Sequence, residues 1–201
     1  MTAATRAPSR ARALPLAAAA GVVAGIAAKA ADESGRQWAA DLGSYPAAWV
    51  LAVAVIGWAA PALPAAAVRA GVLFTAMTVA YYAWAALVLD FGWDVRLLVA
   101  WLVLSATAVP LTAAAVSRAT RRAGWLPGAV LAMAAGTTLG GGALADAGDH
   151  PVQAAADVVV AVLLVAVLPR HARTRLWAVV LTVPLTWLAA QLLDVLRAGL
   201  G

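Results

Sequence analysis

Stretches of about 20 mostly apolar residues follow one another along this 201-residue chain, separated only by short polar breaks. A run of that length, wound as helix, reaches across the hydrocarbon of a bilayer. Helix is also the conformation that satisfies its own backbone there. Seven runs are read, at about residues 13–31, 46–67, 70–89, 96–117, 125–145, 152–168 and 176–197. The expected fold is therefore all-α: an integral membrane bundle of seven transmembrane helices, a single domain over residues 1–201 with residues 1–12 as a cytoplasmic basic tail. Composition argues against a soluble alternative. The chain is 65% hydrophobic and 11% charged, where soluble domains run about 45–50% apolar and about 25% charged. So few charges could not cover a water-facing surface.

Charge gives the threading. With the amino terminus inside and seven crossings, ten of the fourteen basic residues fall in inside segments, among them Arg10, Arg12, Arg69, Arg118, Arg121, Arg122, Arg170, Arg173 and Arg175. Lys29, Arg36, Arg96 and Arg197 fall outside. Basic residues in short loops favour the cytoplasmic side. The carboxyl terminus is then outside, and all nine acids lie outside or in the outer part of a run. Tryptophan agrees, with Trp38, Trp49 and Trp93 at the outer boundary and Trp58, Trp125 and Trp177 at the inner one. Trp84, Trp101 and Trp187 lie deeper and are expected between helices. The scattered arginines build no basic face, so nucleic acid is excluded as a partner. The lipid bilayer of the cell membrane is the expected partner, with a homo-oligomer or a second membrane protein left open.

The first run has two readings. Arginines before an apolar stretch and then Ala28-Lys29-Ala30 resemble a cleavable signal peptide. Against that, Ala17, Gly21 and Gly25 recur every fourth residue, the small-residue face by which membrane helices approach closely, and a retained helix is expected.

Among residues that could carry chemistry, Asp157 stands out. It lies about five residues inside the sixth run, followed by VVVAVLLVAVL, and an intramembrane acid needs a partner. Gln153, one turn earlier on the same face, is that expected partner. The pair reads either as an ion, proton or substrate ligand facing an outward cavity, or as a packing feature. A second group is the outer acids: Asp90 and Asp94 in DFGWD, Asp146, Asp149 and His150 in ADAGDHP, with Asp32, Glu33, Asp41 and Asp194. Their spacing matches no defined metal motif, and aspartates also serve turns, so no metal site is expected. Thr75, Thr78 and Tyr82 form one polar stripe and Trp187, Gln191 and Asp194 another. Asp157, Gln153, Asp90, Asp194 and Tyr82 are the candidate substrate or ion contacts. Pro110 and Pro184 should each free a carbonyl four residues back, and Gly136 with Gly140 reads as helix packing. No catalytic residue is assigned. The chain has no cysteine and two histidines, so thiol chemistry is excluded and no cofactor is expected.

The segment ADESGRQWAADLGSYPAAWVLAVAVIG (residues 31–57), followed by VAYYAWAALV (residues 79–88), resembles a family of small actinobacterial multi-pass membrane proteins catalogued as a domain of unknown function. The likeness covers roughly the first half and draws attention to Asp41, Ser44, Tyr45 and Pro46. It implies a membrane location and no mechanism. Ser44 and Pro46 also read as a helix start.

Three functions compete: a small cation- or proton-linked transport or channel-like bundle, an accessory membrane subunit without chemistry of its own, and a membrane-embedded enzyme acting on a lipid or isoprenoid. The residue content favours the first, with Asp157 as its central group.

Overall fold

The computed structural model describes residues 10–44, 46–141 and 143–200, and every element among them is helical. In chain order these are α1 (Arg10–Asp32), α2 (Gln37–Ser44), α3 (Pro46–Ala59), α4 (Leu63–Leu87), α5 (Val95–Ala106), α6 (Ala108–Ala119), α7 (Trp125–Leu139), α8 (Pro151–Val162) and α9 (Ala172–Leu200). A single π-helical turn, Leu163–Val167, extends α8. Helix thus begins at Arg10, inside the segment expected as a basic tail; residues 1–9 lie outside the described residues.

Four helices are long and apolar enough to cross a membrane: residues 12–32, 63–87, 95–119 taken across a break, and 172–192. The pair α2 and α3, bent by 45°, makes a fifth candidate. The remaining two expected runs are apolar helices of 10–17 residues, 125–139 and 151–167. At 1.5 Å per residue they reach about 22 and 25 Å, short of a hydrocarbon core of about 30 Å. The reason is local. The fifth run was expected to continue to residue 145, but Gly140 caps α7 and a chain of turns leads to Pro151, which opens α8 in its first turn.

Other boundaries follow the residues. Pro46 starts α3, as read from sequence; Tyr45 lies outside the described residues. Asp90 takes a left-handed φ of 56°, and the Phe91 N–H closes back onto the Ala85 carbonyl, finishing α4. Asp94 then starts α5, its carboxylate accepting the Leu97 N–H at 3.0 Å. Pro110 has no N–H for the Ala106 carbonyl, and the helix breaks at Thr107 between α5 and α6. Pro184 is absorbed within α9 without a break.

Packing is inverted relative to a soluble protein. The interior is mostly small residues, such as Ala47, Ala54, Ala66, Ala70, Ala113, Ala132 and Ala135, while Val, Leu and Trp cover the outside. In lipid nothing drives large apolar side chains inward, so close backbone approach decides what is buried. Long apolar helices around a small-residue interior are compatible with a membrane protein. Two glycine seams hold it. Gly21 and Gly25 of α1 lie against the Leu73 and Met77 carbonyls of α4. Gly128 and Gly136 of α7, with its cap Gly140, lie on the α9 backbone near Ala178, Leu185 and Ala190. Trp187, expected between helices, instead faces outward and is 66% exposed, while Trp101, expected there too, is half-exposed. Lipid accepts an indole, so burial gains little.

Polar contacts gather at two ends. At one, Gln37 Nε2 donates to the Asp149 carbonyl at 3.0 Å, and His150 Nδ1 pairs with Asp41 Oδ2 at 2.8 Å. At the other, the Arg121 guanidinium donates to the carbonyls of Trp58, Ala60 and Pro61 at and just past the end of α3. There too Thr174 Oγ1 donates to the Arg122 carbonyl at 2.7 Å, and the Arg170 N–H to that of Thr120 at 3.1 Å.

Candidate functional site

Two places concentrate polar groups inside this apolar bundle. The first is on α8, where Asp157 and Gln153 are both 0% exposed. One helical turn separates them, so their side chains share a face, and Gln153 Nε2 donates to Asp157 Oδ1 at 2.6 Å. Asp157 Oδ2 and Gln153 Oε1 are buried acceptors with no hydrogen-bond partner. Two oxygens in one apolar setting therefore lack a donor.

The second place is a cavity of about 630 Å³ bounded by α1, the α2–α3 corner, α4, the α5–α6 break and α7. Five aromatic rings, Trp49, Phe74, Tyr81, Tyr82 and Trp101, line it together with Asp32. Trp49 packs edge-on against Phe74, and Tyr81 against Tyr82. The Tyr81 hydroxyl donates to Asp32 Oδ2 at 2.5 Å, which leaves Asp32 Oδ1 buried without a partner. Beside it, Lys29 Nζ bonds Glu33 Oε1 at 2.6 Å and lies 5.4 and 4.9 Å from the centres of the Tyr81 and Phe91 rings. Trp101, Ala108 and Thr112 line the cavity and are exposed midway along residues 95–119, so it opens at that flank of the bundle.

The candidate residues read from sequence do not converge. Tyr82 is in the cavity wall, with Thr78 of the same stripe. Asp157 and Gln153 form their bond but are not among the residues lining the cavity, which was expected to expose the acid to the outside. Asp90 is exposed and turns the chain after α4, and the side chain of Asp194 lies outside the described residues. His150 is drawn to Asp41, whose hydrogen bond raises its pKa above the usual 6.5.

A family model described as a family of unknown function, DUF6518, matches residues 4–199. The chain belongs to DUF6518. The match runs over nearly its whole length, where the resemblance read from sequence covered the first half. No curated protein matches the chain, and no solved structure does. The family description names no activity, so a functional reading of this DUF6518 member rests on its own geometry.

Sequence reasoning undervalued Asp32, Tyr81 and Trp49. Asp32 was one outer acid among many, and Trp49 one belt residue. No spacing rule links Asp32 to a tyrosine 49 positions away on another helix. The one available signal was the adjacent Tyr81-Tyr82 pair on the outer half of an apolar run.

Proposed function

We propose that this DUF6518 member is a small transport-type bundle of the cell membrane that takes a solute into the aromatic cavity from its outer side. The observation that carries this reading is the cavity itself. Its volume lies within the roughly 300–1,000 Å³ usual for small-molecule sites, and its mostly apolar wall offers one unpartnered carboxylate oxygen. Seven crossings with the amino terminus inside fit the grouping of loops. Residues 58–61, 120–124 and 169–175 share the arginine-rich end, and residues 29–41, 81–94 and 149–150 share the acidic one. Short α7 and α8 then cross by local thinning of the bilayer.

In this reading the Asp157–Gln153 pair, set apart from the cavity, holds the coupling proton or cation. Two buried acceptors without a donor are suited to a species that only donates. The test is proton movement in proteoliposomes, followed by an internal pH-sensitive dye after an acid pulse. Wild-type protein is expected to conduct protons above protein-free vesicles, and Asp157→Asn to abolish the difference. Vesicles with and without wild-type protein that acidify alike would overturn the reading.

The sideways opening at Trp101, Ala108 and Thr112 favours a second reading, a membrane enzyme that admits a lipid laterally. Chemical turnover of vesicle lipid, with no solute movement, would select it.

A further inference from the structure

We propose that the cavity is a binding site for a lipophilic organic cation, its ammonium or guanidinium group seated against Asp32 and its carbon skeleton between the aromatic rings. This deepens the reading of the cavity as the solute site and rests on it for transport, though not for binding.

Charge comes first. Among the described residues, Asp32 is the one lining residue that carries a formal charge. Lys29, three residues earlier on α1, is buried and bonded to Glu33, so that pair is neutral, and no described residue forms a salt bridge with the Asp32 carboxylate. An anionic occupant would meet this charge directly.

Hydrogen-bonding capacity points the same way. The Trp49 N–H donates to the Gly43 carbonyl at 2.8 Å and the Tyr81 hydroxyl to Asp32. The Thr112 and Thr137 hydroxyls donate to carbonyls of their own helices, at Ala108 and Met133. These donors are spent within the protein, while Asp32 Oδ1 is an acceptor in want of a donor, and the Tyr82 hydroxyl and Trp101 N–H of the same wall are bonded to no acceptor among the described residues. An occupant that donates at Asp32 satisfies the buried oxygen there.

The walls then choose among donors. Aromatic faces attract a cation through the ring quadrupole, more strongly where water is excluded, and five aromatic residues line the same cavity as the carboxylate. The protein already uses the device at the cavity's edge, where the Lys29 ammonium lies over Tyr81 and Phe91. The sideways opening adds the last requirement. A cation that partitions into the membrane can reach the site from lipid, whereas a strongly hydrated inorganic ion would face apolar rings on most sides. An organic cation with an apolar body fits every wall.

The probes are 2-phenylethylammonium, whose nitrogen carries three N–H donors, and propylbenzene, which share a shape and differ in charge. Binding is measured by calorimetry on the full chain in detergent micelles. The cation is expected to bind at least tenfold more tightly than the hydrocarbon. Asp32→Asn, which keeps the shape and the bond from Tyr81, should weaken the cation at least tenfold and leave the hydrocarbon unchanged. Asp146→Asn, an exposed acid at the same end, should alter cation affinity less than twofold. Equal affinity for the two probes would overturn the proposal on wild-type protein alone, even if Asp32→Asn failed to fold. Equal effects of Asp32→Asn and Asp146→Asn would overturn it as well. Flux in proteoliposomes separates the two readings. Cation binding without proton or solute flux retires transport and keeps the site; flux without cation binding retires the site and keeps transport.

Discussion

Replacing both members of the buried pair on α8, Gln153→Met with Asp157→Leu, should make the protein more stable, while either change alone should make it less so. The magnitude comes from counting polar atoms. Asp157 Oδ2 and Gln153 Oε1 are buried without partners, and each such acceptor costs about 1–3 kcal/mol, together about 4. The single bond between the side chains contributes about 1 kcal/mol. Met and Leu are near-isosteres of Gln and Asp, so repacking costs about 1 kcal/mol more. The double variant should then gain about 2 kcal/mol. Each single variant still leaves two orphaned polar atoms and loses the bond, a loss of about 1–2 kcal/mol. For a chain of this length 1 kcal/mol moves the melting midpoint by about 2–4 °C. The double variant should melt about 4–8 °C higher and the singles about 2–8 °C lower, by thermal unfolding in one detergent. That reversal of sign cannot arise from independent sites. A double variant destabilised by the sum of the singles would refute the reasoning, because the two oxygens would then have partners that hold α8 in place. Under the proposed function, the stabilised double variant should also lose proton movement.

Gly136→Ala would put a Cβ 2.9 Å from the Leu185 carbonyl group and the Thr186 nitrogen, backbone atoms that no rotamer change can move, whereas nothing lies within 4 Å at Gly148. Opening the seam is expected to cost about 1–3 kcal/mol, seen as a lower melting midpoint for Gly136→Ala and no loss for Gly148→Ala; equal behaviour would deny the α7–α9 contact. Because Asp41 raises the His150 pKa, the contribution of their contact is fully present below pH 6.5 and is lost as pH rises through the folded value. An NMR titration of His150 should show that raised value returning toward 6.5 in Asp41→Asn, and an unchanged midpoint would remove the contact. Single cysteines at positions 92 and 148 should react with an impermeant maleimide on intact cells, and one at 123, exposed at the arginine-rich end, should react only in permeabilised cells, since the chain has no other cysteine; the reverse at any one site would break the seven-crossing threading.

The sequence by itself determined whatever is settled within a turn or two of helix. Pro46, Pro110 and Pro151 mark starts and a break because a missing N–H acts on its own segment. The Gln153–Asp157 bond follows from a spacing of four residues. Gly21 with Gly25, and Gly136 with Gly140, announced close helix contacts, because small residues in lipid have little other use at that spacing. Even so, sequence could not say that α7 would end at Gly140, because an apolar run shows hydropathy and not where glycines begin to turn.

What only the tertiary structure decided is how helices diverge. The cavity exists because the chain breaks at Thr107 and bends between α2 and α3, leaving space that Asp32, Trp49, Tyr81 and Trp101 enclose from separate segments. Asp41 meets His150 across 109 positions. Trp187 faces outward although its depth suggested a helix interface. The physical reason is common to all three. In lipid, helix placement rests on many small van der Waals contacts summed along seams, and those sums belong to pairs of surfaces. A single run of residues holds one surface of each pair, so partners such as Asp32 and Tyr81 come together only when both are in place.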